Sequence, residues 1–362
     1  MTKLRISKQP GSGVPVDFSR RVVAWQRRHG RHDLPWQGTR DAYRLWVSEI
    51  MLQQTQVSTV IPYYERFMES FPDVGVLAAA AEDEVLRHWS GLGYYARARN
   101  LHRAARVVQD LHGGRFPRDA AQVEALPGVG RSTAAAIAAF ATGAPHAILD
   151  GNVKRVLARH RGIDGPVDSA ATLSRLWACA EALLPSTGIE AYTQGLMDLG
   201  ASVCTRAKPA CERCPVRGDC VALRQSRVAH LPGAKSARTV ARRETAMLVL
   251  LSRGEVLVEK RPPKGIWGGL WSLPEAPAAL GAREVAAMAR TSFGVRGRPA
   301  EALAAFEHAF THFTLRIQPW LVTASAGPGR GGERGTMWLP LAEAASAALP
   351  APVKKLLASL AR

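Results

Sequence analysis

The chain has 362 residues, enough for two or three domains, and is 47% apolar and 22% charged, the composition of a protein that buries sizeable cores. That excludes a single small module and extensive disorder. Lys and Arg outnumber Asp and Glu by 48 to 30, a net charge of +18 that suits a polyanionic partner, nucleic acid ahead of an anionic membrane surface.

The charge does not settle the partner, because 39 of the 48 cations are Arg in an Ala-rich chain, a bias that genome composition alone produces. Met1 to Asp17 is polar and rich in Gly, Ser and Pro, without the apolar segment of a signal peptide. No run approaches the roughly 18 apolar residues of a membrane span. The expectation is a soluble cytoplasmic protein with no membrane partner.

From Asp17 to about Leu223 the apolar spacing is helical, and breakers are frequent: Gly91-Leu-Gly93, Gly113-Gly114, Pro127-Gly-Val-Gly130, Gly143 and Pro166. This predicts an all-helical region of short helices. On a helix predicted from Ala42 to Thr55, Trp46, Glu49, Ile50 and Gln53 share a face. Glu49 is the odd residue there, either an edge carboxylate with a salt-bridge partner or a desolvated acid with a raised pKa. Leu126-Pro-Gly-Val-Gly130 joins a short helix (Asp119 to Ala125) to an Ala-rich one from Arg131. Gly128 and Gly130 let a backbone partner approach, and N–H groups at a helix N-terminus suit a phosphate. Asp150-Gly-Asn152 opens another helix, with Asp150 as its N-cap. Backbone donors and the helix dipole favour an ionised Asp150, as an electrostatic stabiliser or nucleophile requires.

Cys204, Cys211, Cys214 and Cys220 follow the pattern C-x6-C-x2-C-x5-C within 17 residues. In a reducing compartment this reads as a metal centre, not a disulfide framework. Structural zinc usually shows two C-x2-C knuckles, and only one is present, so a [4Fe–4S] cluster leads with zinc as the alternative. Arg206, Lys208, Arg213 and Arg217 share the loop and either meet DNA phosphate or solvate a surface. Cys179, beside Trp177 and Leu183 on an apolar helix face, reads as a small buried hydrophobe.

Residues 226 to 243 carry five cations and no acid and are predicted to be a linker. Beyond it Ala246 to Leu251 and Glu255 to Lys260 form a predicted hairpin about Arg253-Gly254, Thr314 to Val322 is β-rich, and Gly327 to Gly335 is a loop. The last third is therefore α+β.

Trp46-Val-Ser-Glu-Ile-Met-Leu-Gln-Gln-Thr-Gln56, Gly91-Leu-Gly-Tyr-Tyr95, Leu126-Pro-Gly-Val-Gly-Arg-Ser-Thr133, Ile148-Leu-Asp-Gly-Asn-Val-Lys-Arg155 and the cysteine spacing resemble the adenine DNA glycosylase (MutY) family. The match runs in order from about residue 18 to 225 and more weakly from 244 to the end. The resemblance implies a multidomain protein: an all-α helix-hairpin-helix glycosylase core with an iron–sulfur cluster domain, then an α+β Nudix-like domain. Its expected divisions are residues 1–31 and 146–225 for the [4Fe–4S] cluster domain, 32–145 for a six-helix domain with the hairpin, 226–243 for the linker and 244–362 for the Nudix-like recognition domain. It further implies a monomer that binds double-stranded DNA, associated with the nucleoid in a bacterium.

The implied reaction is hydrolytic removal of adenine mispaired with 8-oxoguanine or guanine, the base being flipped from the duplex. Glu49 would protonate the leaving base, Asp150 would stabilise the sugar cation or attack it, and Asn152 would position the reacting groups. Gln54 and Tyr94 match residues that fill or wedge the stack, while Gly128, Gly130 and Ser132 match the DNA-binding hairpin. An endonuclease III-like pyrimidine glycosylase/lyase would carry a nucleophilic Lys where Ser132 stands. A non-enzymatic helix-hairpin-helix damage-binding protein with a redox-probing cluster is the other alternative.

In the C-terminal third Gly269, Glu275, Arg283, Glu284 and Val285 fit a Nudix box, but its last two metal-binding carboxylates fall on Ala287 and Met288. A Mg²⁺-dependent hydrolase is therefore not expected. Phe310-Thr311-His312 corresponds to the family's loop that contacts 8-oxoguanine, with Thr for Ser. From pattern alone, Phe310 and Phe313 read equally as core.

Overall fold

The computed structural model describes residues 14–234, 241–310, 312–324 and 335–360. The chain folds as two compact units, Met1–Ala78 with Arg103–Ser236 and Ala79–His102 with Ala237–Arg362. Through Arg224 the secondary structure is helical: α1 Val14–His29, α2 Ala42–Leu52, α3 Val57–Ser70, α4 Val74–Ala79, α5 Glu82–Trp89, α6 Ala96–His112, α7 Ala120–Glu124, α8 Arg131–Thr142, α9 Gly151–Arg161, α10 Ala170–Ala182, α11 Ile189–Asp198 and α12 Val221–Arg224. Among the described residues, no helix is long and apolar enough to cross a membrane.

Local chemistry sets the helix ends. Asp41, Asp119, Asp150 and Ser169 each accept a backbone N–H bond as N-caps of α2, α7, α9 and α10. Gly143 and Gly162 close α8 and α9 in the left-handed conformation that favours glycine. The helix predicted through Thr55 ends earlier, at Leu52, because the chain turns at Gln53 and Gln54. A core built from Phe18 and Val22 of α1, Ala135 and Ala136 of α8, Leu157 of α9, Leu176 of α10 and Tyr192 of α11 brings the first helix against the last ones. A π-helical turn, Leu199–Val203, follows α11 directly.

In the second unit β1 (Ala241–Ser252), β2 (Glu255–Lys260), β3 (Trp271–Ser272), β4 (Glu275–Ala276), β5 (Glu301–Ala302), β6 (Phe306–Ala309), β7 (Phe313–Thr323) and β8 (Thr336–Pro340) form one sheet. Helix α13 (Ala282–Phe293) lies between β4 and β5 in the chain, and α14 (Ala351–Leu360) ends it. β1 and β7 pair in parallel, Ala241 opposite Phe313, and the other pairings are antiparallel. The expected β1–β2 turn is present, with Arg253 and Gly254 at φ of 50° and 80°, the double left-handed geometry that matches strand twist. β1 begins at Ala241, inside the segment predicted as linker through 243, because residues 241–243 pair with β7. Val285 and Ala289 of α13 pack on Leu248, Leu250 and Val322 of the sheet. Most of the predicted loop 327–335 lies outside the described residues.

Leu157 is fully buried in the helical core. Leu157→Ala should cost about 3 kcal/mol through lost transfer energy and a residual cavity, measured by urea unfolding followed through the helical circular dichroism signal.

Candidate active site

Helix α2 turns Trp46 and Ile50 into the core and leaves Glu49 at the wall of a 540 Å³ cavity. Apolar Leu34, Trp36, Leu45 and Met197 share that wall. The edge of Glu49 meets solvent within the cavity, yet the surrounding protein replaces most bulk water. Loss of hydration, then the nearby Asp150 charge, pushes the Glu49 carboxyl up to about 8. Of the two readings of Glu49, the desolvated acid matches these surroundings.

Asp150 caps α9, its Oδ1 accepting the Val153 N–H at 2.7 Å. Burial pushes its carboxyl upward, opposed by the Val153 and Asn152 amides and then by Arg155 and Lys154. The expected donors are thus present, but desolvation outweighs them. The two carboxyls differ in their surroundings, because amides and cations oppose the upward push at Asp150, whereas burial and the Asp150 charge both push Glu49 up.

Asn152 accepts from Arg155 at 2.8 Å, and the same guanidinium donates to the carbonyls of Gly200 and Cys204, both at 2.7 Å. The π-helical turn runs so close that a Cβ on Gly200 would lie 2.5 Å from the Asn152 Cβ. Ser132 Oγ accepts the Leu149 N–H at 2.9 Å, tying the hairpin helix to the chain that leads into Asp150. Gly128 adopts φ of 80°, where a side chain would be strained, and Gly130 caps α8 with open space at its Cβ position.

Gln54 is exposed, and Tyr94 is 50% exposed. Both are non-glycine residues at positive φ, 59° and 48°, a geometry the surroundings must enforce. Phe310 stacks on Phe313 at 4.5 Å between ring centres, and the exposed His312 sits in the turn between them. Thr311 lies outside the described residues.

All four cysteines line one small cavity of about 30 Å³. Burial, reinforced by neighbouring thiolates, pushes Cys214 up to about 12 and Cys211 and Cys220 upward as well. Four thiols lining one cavity, of which Cys211, Cys214 and Cys220 resist ionisation, are the donor set a cationic metal centre needs, so these residues fit a bound cluster. Among the described residues no three His, Cys, Asp or Glu side chains are gathered as a single metal ion would require. Arg206, Lys208, Arg213 and Arg217 are all exposed on this loop. Cys179 packs against the helical core as expected.

Sequence reasoning missed the polar side of the cavity. Arg31 pairs with the 2% exposed Asp198, at 2.6 Å from its Nη2, and Gln194 Nε2 donates to the same carboxylate at 2.8 Å. Gln194 and Asp198 lie four apart on α11 next to buried Tyr192 and Leu196. Two polar residues one turn apart on an apolar face were the available signal.

A family model described as HhH-GPD superfamily base excision DNA repair protein matches residues 47–179, and a NUDIX domain model matches 245–359. The adenine DNA glycosylase of Buchnera aphidicola subsp. Schizaphis graminum is 33% identical over 94% of this chain and 97% of its own length. The human adenine DNA glycosylase is 32% identical over 93% of this chain and 73% of its own length. The chain belongs to the adenine DNA glycosylase family. A solved thermostable thymine-DNA glycosylase is 31% identical with a TM-score of 0.53, covering 57% of this chain and 95% of that one. The helix-hairpin-helix core followed by a Nudix-like α+β domain is thus borne out.

With a Glu49 carboxyl near 8 and an unfolded value near 4.5, the folded protein binds the extra proton between those limits. Stability from this group is therefore complete below about 4.5 and is lost as pH rises through about 8. Glu49→Gln should flatten that slope and be more stable than the parent protein at pH 8.5, as melting temperatures across pH would report.

Proposed function

We propose that this family member removes adenine from duplex DNA as a monofunctional glycosylase, carried by Glu49, which lines the 540 Å³ cavity, and the nearby Asp150. An adenine flipped into that cavity meets apolar walls and the fixed polar groups of Arg31 and Gln194. Protonated Glu49 donates to a ring nitrogen, so that the N-glycosidic electron pair leaves with a neutral base. Asp150 offsets the positive charge that develops on the sugar, water adds to the anomeric carbon, and Asn152 holds the approach. Gln54 and Tyr94 occupy the space that the base vacates, and the hairpin of Gly128, Gly130 and Ser132 holds backbone phosphate. Phe310, Thr311 and His312 contact 8-oxoguanine, or guanine, on the opposite strand.

In this reading residues 1–31 and 146–225 form the cluster domain, 32–145 the six-helix domain and 244–362 the recognition domain of a cytoplasmic monomer. Cys204, Cys211, Cys214 and Cys220 would hold a [4Fe–4S] cluster. When bound, that cluster supplies a cationic iron centre that neutralises the four thiolates and orders the loop. The loop's arginines and lysine are then presented to DNA. The lyase alternative lacks its amine, because position 132 is a serine whose hydroxyl accepts the Leu149 amide. A mere binding protein has no need of a proton-holding acid beside a second carboxylate.

Glu49→Gln should lower the single-turnover release of adenine opposite 8-oxoguanine by about 10²- to 10⁴-fold, with duplex affinity nearly intact. Unchanged release would overturn the catalytic assignment. Protein purified without oxygen should carry about four irons per chain and a broad visible absorption. One colourless zinc per chain would overturn the cluster.

A further inference from the structure

Tyr94 and the Phe310–Phe313 turn lie in one compact unit, whereas Glu49 and Asp150 lie in the other. The segment that carries Tyr94 is interrupted on both sides by the helical unit, yet it is fastened to the C-terminal part at several points. Asp83 pairs with Lys260 and also accepts the Trp271 indole N–H at 3.3 Å. Tyr95 donates to the Leu349 carbonyl at 3.4 Å, Ser90 to that of Ala347 at 3.5 Å, and the Arg99 guanidinium to that of Gly268.

These anchors bracket Tyr94. Its loop is stiffened by the buried Arg97, which donates to the Leu92 and Gly93 carbonyls at 3.3 Å and lies 5.6 Å from the Tyr94 ring. On the other side, Gly268 follows Trp267, whose ring meets Phe310 at 5.6 Å and His308 at 5.8 Å. Phe310 in turn stacks on Phe313, over which Arg243 sits at 4.6 Å. A 580 Å³ cavity is lined by Tyr94, Arg99, Trp267 and Phe310 together. An unbroken chain of contacts thus runs from the Tyr94 loop through Arg99, Gly268 and Trp267 to Phe310.

We propose that Asp83 and Arg99 are positioning residues that make the Tyr94 wedge and the Phe310 turn one mechanical piece. The part of the chain that reads the opposite base then also sets the wedge. This rests on the excision reading above. Its consequence is that loosening the anchors weakens discrimination between opposite bases while leaving the chemistry at Glu49 and Asp150 in place.

The test uses the full chain as Asp83→Lys, Lys260→Asp and the charge-reversed double variant, with Arg99→Met and Arg99→Lys beside them. The principal readout is fluorescence of 2-aminopurine placed next to adenine paired with 8-oxoguanine or guanine, which follows opening of the stack and needs no excision. The parent protein should give a stronger signal opposite 8-oxoguanine. Each single charge change and Arg99→Met should shrink that preference about 3-fold, a modest effect because the Asp83–Lys260 pair is part exposed. The double variant and Arg99→Lys should restore it to within about 2-fold, and melting temperatures should hardly move. Single variants with the parent preference, a double variant no better than the worse single, or a parent protein without preference would each overturn the proposal. Failure of the parent protein to release adenine would instead overturn the excision reading, because the fluorescence comparison stands without it.

Discussion

Two carboxyl groups deprived of water and near each other cannot both ionise at little cost, and the helical unit is built around that constraint. Glu49 reaches the cavity because α2 buries Trp46 and Ile50 on either side of it. Asp150 sits where α9 begins, with two amides and two cations favouring its charge. The surroundings are thus unequal, since these groups oppose the effect of burial at Asp150, while the Asp150 charge adds to it at Glu49. Such inequality is what lets two similar carboxyls differ in proton affinity at one pH.

The start of α9, which presents Asp150, is held firmly in place. Three attachments do this. Ser132 holds the incoming strand through Leu149, the Gly200 backbone packs against Asn152, and Arg155 joins Asn152 to the carbonyls of Gly200 and Cys204. One turn later Arg159 donates to the carbonyls of Leu231, Thr205 and Arg206, so the cysteine loop hangs from the helix that presents Asp150. Bonds from a charged guanidinium are about twice as strong as neutral ones, and losing one strands buried carbonyls. The cysteine loop is in this way part of the support of the helix that presents Asp150.

Much of this was legible in the sequence, because local rules wrote it. Asp41, Asp119, Asp150 and Ser169 are N-cap residues by type, the Arg253-Gly254 turn is a hairpin signal, and Glu49 stands out as an acid on an apolar helix face. What depends on distant partners was not legible. Arg31 and Asp198 meet across 167 positions, Arg97 and Arg99 look like ordinary surface cations of α6, and nothing near Trp267 announces its contact with Phe310. Ser132 was read as a DNA contact by analogy, and its bond to Leu149 emerges only when α8 and the chain before α9 are seen together. Nor does periodicity show that residues 79–102 fold with the C-terminal part, since the segment is helical like its neighbours.

The C-terminal sheet shows how a catalytic framework is turned to other use. Of the box residues that survive, Glu275 is held by Arg261 at 2.7 Å, and Glu284 accepts the Gly281 amide at 2.7 Å to cap α13. Where further carboxylates would be needed, Met288 packs against the apolar core beside Val285. A divalent cation would have to strip Glu275 and Glu284 from these partners and would find no acid at 287 or 288, so the helix now serves as a buttress. Elsewhere in the unit the half-buried Phe310 and Phe313 stack in an aromatic turn, with Phe310 against the buried Trp267. Aromatic faces recognise bases by stacking and ask little of metal or proton transfer. A platform of this kind suits stacking against a base, while the Glu49 and Asp150 carboxyls reside in the other unit.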